Sequence, residues 1–195
     1  MITSVVNKTV TAFHQFKKDH PALYALAGFF ILSWFYALCE QIAMPLPFGL
    51  VPMIIMPVPL YLLAFTLGMP AVYAYGLYLM QGALGAPFFA HGLGGIGRLL
   101  GPTGGYLLGM GIGAFLLALT CTIGKSSKIM TLAKITIANI ILFTVGLFQL
   151  SFFVPQSKLL AAGLWPFVIG DFVIKAGMIM SGLALRRFYT QRNEK

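Results

Sequence analysis

A chain of 195 residues that is 59% hydrophobic and only 9% charged, with a mean hydropathy of +0.90, is composed for a bilayer. Soluble domains run at roughly 45 to 50% apolar and 25% charged. The net charge of +9 invites a nucleic-acid reading, which the placement of the cations removes. His14, His20 and His91 have no second His or acid at ligand spacing, so no metal site is expected. No Ser or Cys has a membrane-embedded base near it in sequence and no phosphate-binding loop is present, so an enzyme is not the expectation.

A hydrocarbon core of about 30 Å takes roughly 20 mostly apolar residues per helix. Six runs near that length predict an all-α integral membrane protein, six transmembrane helices in one bundle and one domain over residues 1–195. In chain order they are about Pro21–Cys39, Pro52–Leu67, Pro70–Gly85, Thr103–Ile123, Thr131–Ser151 and Pro166–Leu185. The polar, lysine-bearing start and the length of the first run predict a retained anchor and no cleaved signal peptide. "GMP" at Gly68–Pro70 reads as a tight turn between the second and third spans. Cys39 and Cys121 show no metal or redox spacing and read as small core residues near opposite membrane faces.

With the N-terminus in the cytoplasm, ten of the 13 Lys and Arg residues fall inside. They are Lys8, Lys17 and Lys18, then Lys125, Lys128 and Lys134, then Arg186, Arg187, Arg192 and Lys195. Arg98 and Lys158 fall outside and Lys175 within a span. The asymmetry follows the positive-inside rule, so both termini are expected in the cytoplasm of a multi-pass protein of the cell (inner) membrane. Basicity then encodes orientation and attraction to membrane lipid, not nucleic-acid binding.

This topology puts "GGIGRLLGPTGGYLLG", Gly94–Gly109, at the extracellular face between the third and fourth spans. Non-helical backbone at membrane depth is tolerated where protein or a water-filled cavity satisfies it, and glycine lets backbone approach a ligand closely. Gly94, Gly95, Gly104 and Gly105 therefore read either as a re-entrant lining or as a loose surface turn. Pro102 and Thr103 read as the start of the fourth helix, Thr103 as its cap.

Asp171 and Lys175 stand four apart in the sixth predicted span and share a helix face. An unpaired charge in a span costs at least about 2.5 to 3.5 kcal/mol, so such residues mark ligand or ion pathways. A mutually neutralising pair that pins helix packing is the competing reading. At 1.5 Å per residue, Asp171 lies about 7 to 8 Å below the outer helix end, within reach of the glycine-rich loop. Arg98, Asp171 and Lys175 thus describe an outward-opening site for a small anion with a polar head. Glu40 reads as a loop residue at the outer interface or an ion partner for Arg98. Gly105, Gly109 and Gly113 form a small-residue stripe that packs within the bundle or against a partner.

"MPLPFGLVP" (Met44–Pro52), "GAPFFAHGLGGIGRLLGPTGGYLLG" (Gly85–Gly109) and "WPFVIGDFVIKA" (Trp165–Ala176) together resemble the BioY family, the biotin-binding substrate component of energy-coupling-factor (ECF) vitamin transporters. The resemblance covers the helical layout of essentially the whole chain. It implies a six-helix bundle that captures biotin from outside and docks on a transmembrane coupling subunit driven by two ATPase subunits. It also implies that Asp171 and Lys175 hold polar groups of biotin, that Arg98 sits in the loop closing over the site, and that Tyr106 and Gln81 make further contacts, with Phe48 in the lining. The sequence departs from the pattern at Met53–Pro57 ("MIIMP"), in the acid-to-lysine spacing of four, and in the first helix, where Ser33 and Ala37 are the nearest small pair. The alternatives are a membrane-embedded enzyme, which should show an activated nucleophile or metal cluster, and a transporter for another small carboxylate.

Overall fold

The computed structural model describes residues 18–44, 52–120, 128–167 and Gly177. Phe48, Cys121, Asp171, Lys175 and nearly all of the sixth predicted span lie outside the described residues. In chain order the helices are α1 (Pro21–Gln41), α2 (Pro57–Leu67), α3 (Met69–Ala83), α4 (Ile96–Leu100), α5 (Gly104–Leu119), α6 (Lys128–Leu150) and α7 (Gln156–Gly163). Short 3-10 turns occupy Ala90–Gly92 and Trp165–Phe167. A small antiparallel ribbon, β1 (Ala43–Met44) and β2 (Met53–Ile54), pairs Ala43 with Ile54 and Met44 with Met53.

Proline marks the first turn of α1, α2 and α3, where its missing N–H loses no helical bond. The predicted second span fails at its start for the same reason. A helix begun at Pro52 would carry Pro57 in its interior, against the carbonyl of Met53. The chain instead forms the ribbon and begins α2 at Pro57. Gly68, with φ 73°, is the whole junction between α2 and α3, as the tight-turn reading anticipated. Thr103 stands at the N-cap of α5 but makes no side-chain cap hydrogen bond, which corrects the capping expectation.

At 1.5 Å per residue, α1 with 21 residues spans about 31 Å and the 22-residue apolar stretch Ile129–Leu150 of α6 about 33 Å. Both meet the membrane-crossing length, whereas α2 and α5 are apolar but shorter. Helix α1 buries only Ser33, Tyr36, Ala37 and Glu40, and it exposes Leu26, Phe30, Ile31, Trp34 and Leu38. A helix apolar around its circumference suits lipid on its outer side. Ser33 and Ala37 therefore face the protein interior.

Helix α1 packs on α3, while α5 packs on both α2 and α6. Between them lies a tyrosine-rich core in which Tyr36, Tyr61, Tyr75 and Tyr78 are almost completely buried. Three of the hydroxyls reach backbone carbonyls, Tyr75 donating to Leu107 O at 2.7 Å, Tyr36 to Ala71 O at 3.4 Å and Tyr61 to Ala138 O at 3.4 Å. Glycine brings α5 onto α6. A β-carbon at Gly105 would meet Val145 O at 2.6 Å, and one at Gly109 would meet Leu142 O at 2.8 Å. The stripe thus packs within the fold.

Valine at Gly109 should force these helices apart and destabilise the protein by about 1–3 kcal/mol. Gly28, in α1, has no atom within 4 Å of a built β-carbon, so Gly28→Ala should leave stability unchanged or raise it by up to about 1 kcal/mol. Melting of both variants in detergent checks the pair, and equal melting would show that α5 and α6 are not in backbone contact.

Candidate ligand site

The segment joining α3 to α5 is folded. Phe89 and Leu93 form a two-residue bridge, with Phe89 N–H donating to Leu93 O at 2.9 Å and Leu93 N–H to Phe89 O at 3.2 Å. Gly95, with φ 96°, donates its N–H to Gly82 O at 2.7 Å and turns the chain into α4. Gly94 packs against the Ala86 and Gly85 carbonyls. Phe89 inserts its ring beside Gly82 and meets Tyr78 edge-on at 5.8 Å, while Phe88 stacks on Tyr78 at 6.3 Å.

Two glutamines fasten this insert. Gln41, at the end of α1, places Nε2 3.2 Å from the carbonyls of Ala37, Phe88 and Phe89. Its Oε1 accepts the Gly92 N–H at 2.8 Å. From the other side, Gln149 of α6 donates Nε2 to Leu99 O at 2.8 Å and Gly101 O at 2.7 Å. Backbone carbonyls that would otherwise face an apolar medium are thereby satisfied.

Between the insert, the end of α1, β2 and the start of α5 lies a small cavity, partly open to the outside. Its walls include Ile54, Phe89, Thr103 and Met110, and it holds two charged residues, Glu40 and Arg98. Glu40 is only 3% exposed. The Ala90 N–H and the Tyr78 hydroxyl are directed at its carboxylate, and Arg98 is near enough to act on it electrostatically. Yet Glu40 Oε2, Tyr78 OH and Arg98 Nε are buried without a close hydrogen-bond partner among the described residues. Each such group costs about 1–3 kcal/mol, and more when charged. A cavity lined by hydrophobic walls with one acceptor and one donor left open fits a ligand that is mostly apolar and polar at defined points.

The sequence-predicted residues divide. Arg98 lies in α4 and lines the cavity with Tyr106. Tyr106 contributes its ring, since its hydroxyl donates to Gly163 O at 2.9 Å. Gln81 does not join them: it donates Nε2 to Ser33 Oγ at 3.1 Å and ties α3 to α1. Gly104 and Gly105 are helical, not loop, and bury against neighbouring backbone, while Gly94 and Gly95 support the insert. Glu40 ends a helix, buried, and is no loop residue. Sequence reasoning missed Gln41, Gln149 and Phe89. The only signal was local: "CEQ" at Cys39–Gln41 sets two polar side chains at the end of an apolar run.

A helical scaffold with lipid-suited outer faces and a partly open cavity lined by Glu40 and Arg98 fits a membrane protein that takes up a small molecule. The chain matches the BioY family over residues 12–191 and belongs to it. It is 34% identical over 149 residues to the biotin transporter BioY of Thermotoga maritima, covering 75% of this chain and 88% of the relative. It is 31% identical over 176 residues to the biotin transporter BioY2 of Lactococcus lactis subsp. cremoris, covering 88% and 95%. The fold is similar to the crystal structure of the S-component for biotin from an ECF-type ABC transporter, with a TM-score of 0.73 and 23% identity over 86% of this chain and 93% of that one.

Gln41→Leu keeps the side-chain volume and removes all of its contacts to the insert. Amide hydrogen exchange across residues 86–95 should accelerate at least tenfold while that of α6 stays unchanged. Protection equal to wild type would show that Phe88 and Phe89 anchor the insert without the glutamine.

Proposed function

We propose that this chain captures biotin at the outer face of the cell (inner) membrane and delivers it inward as the substrate-binding component of an ECF-type vitamin transporter. The observation that carries the reading is the cavity with its open acceptor and donor, set at the Thr103 end of α5. The opposite end of α5 is bonded by Lys134, whose Nζ donates to Thr120 O at 3.0 Å. Lys134 belongs to the group of cations read as cytoplasmic, so the cavity end faces outward in this reading. Six spans with both termini in the cytoplasm complete the topology.

In the site, Lys175 takes the valerate carboxylate, Asp171 accepts from the ureido ring, and Arg98 and Tyr106 line the cavity from α4 and α5. Phe48, between β1 and β2, adds to the apolar wall. Gln81 acts at one remove by holding α3 on α1. Supporting the arrangement, Phe167, four residues before Asp171, packs its ring 6.0 Å from that of Tyr106. The working partners are a transmembrane coupling subunit and two ATPase subunits, since no nucleotide-binding motif occurs in this chain.

Purified protein in detergent should bind labelled biotin, and excess thiamine or riboflavin should not displace it. Displacement by unrelated small carboxylates instead would make it a transporter for another acid. A charge-assisted hydrogen bond contributes roughly 1.5 to 3 kcal/mol. Lys175→Ala should therefore weaken biotin about tenfold to a hundredfold and biotin methyl ester little. Equal losses for acid and ester would move the carboxylate away from Lys175.

A further inference from the structure

The ureido ring of biotin presents two N–H groups that flank its carbonyl on opposite edges of a five-membered ring. Their bond vectors diverge, so a single carboxylate cannot accept both with good geometry. A site that satisfies the ring needs a second acceptor.

We infer that Glu40 is that acceptor: it receives one ureido N–H through Oε2 and so contributes to ligand selection in the cavity. The inference rests on the biotin reading above. Four observations converge on it. Glu40 lines the cavity and is 3% exposed. Its Oε2 has no close partner among the described residues. The Ala90 N–H and the Tyr78 hydroxyl are directed at the carboxylate, the hydroxyl without a close partner among the described residues. Arg98, the obvious counter-ion, also lines the cavity and leaves Nε without a partner among the described residues.

A residue serving only to neutralise Arg98 would close onto it, because a buried pair gains most in direct contact. Here acceptor and donor both lack a close partner among the described residues, on two residues that line the same space. Oε2 is the carboxyl oxygen without a close partner among the described residues, and a ureido N–H supplies a donor for it. Thr103 and Met110, also on the cavity wall, offer no fixed N–H for it.

The test compares wild type, Glu40→Gln and Glu40→Leu in their binding of biotin and of its two mono-N-methyl ureido isomers, with melting of each ligand-free protein as the folding control. Wild type should lose affinity for both isomers relative to biotin. Glu40→Leu should bind biotin about tenfold to a hundredfold more weakly, by loss of the acceptor for a buried N–H, and Glu40→Gln, which keeps an amide acceptor, several-fold more weakly. For one isomer, the one methylated on the nitrogen facing Glu40, the variants should bind like wild type. Equal fold-losses for biotin and both isomers would overturn the inference and leave Glu40 a structural partner of Arg98. Wild-type affinity for biotin in both variants would overturn it too. If Glu40→Leu does not survive extraction, the isomer comparison with Glu40→Gln decides alone. Failure of the wild type to bind biotin at all is a different result, which sinks the underlying reading and this inference with it.

Discussion

The close approach of α5 to α6 is the constraint on which the cavity end depends. It is made by missing side chains. At Gly105 and Gly109 the nearest atom to a built β-carbon is a backbone carbonyl oxygen of α6, so no side-chain rotation could relieve the contact. Tyr106 sits beside that seam. Its ring fills the space over Gly146, and its hydroxyl fixes Gly163 at the end of α7. Gln149, also on α6, then reaches the carbonyls of Leu99 and Gly101 and sets α4 over the cavity. Separate α5 from α6 by the width of a methyl group and both connections lengthen together. The position of Arg98 is thus set by glycines that never touch the cavity.

The opposite wall follows another logic, since it is held by rings and one amide. Tyr36, Tyr75 and Tyr78 run along the interior with centroid separations of 6.0 and 5.4 Å. Phe88 and Phe89 extend the cluster from the insert. Aromatic contacts add roughly 0.5–1.5 kcal/mol each beyond burial and are tolerant in angle. They hold the insert down without fixing its register. Gln41 supplies the register, because amide geometry permits its bonds only when Phe88, Phe89 and Gly92 stand where they do.

Most of the long elements were legible in the sequence, because a twenty-residue apolar run bounded by proline admits few other structures. Predicted starts at Pro21 and Pro70 fell within a residue of the observed helices. The errors lie where length gives no signal. Helix α4 has five residues and the ribbon strands two each, too short for periodicity to speak. Gln149 bonds a carbonyl 50 residues away, a pairing that no local pattern can announce. Gly104 and Gly105 were ambiguous in principle, because a glycine required for close helix packing and one required in a loop look alike in sequence. Arg98 stood out as a charge among glycines in apolar surroundings, whereas Tyr106 was singled out by the family resemblance; both line the cavity. Glu40 was undervalued for the converse reason, as its place at the end of an apolar run made it read as an interfacial residue.

That misplacement bears on how the cavity works. A carboxylate in the last turn of a helix meets the negative end of the helix dipole, an unfavourable position for an anion. Burial adds a desolvation penalty. Neither is offset by a close ion pair among the described residues, so the ligand-free protein holds Glu40 at a disadvantage that nearby donors reduce but do not remove. Such a site binds by relief as well as by attraction. A ligand that brings an N–H to Glu40 and an oxygen to Arg98 satisfies two buried groups at once, whereas one lacking either leaves a buried polar group without a partner. Discrimination by buried polar groups that would otherwise stay unpaired is far sharper than discrimination by apolar fit. The apolar walls can therefore be generic, and selectivity resides in a few polar atoms that the seam and the aromatic wall hold in place.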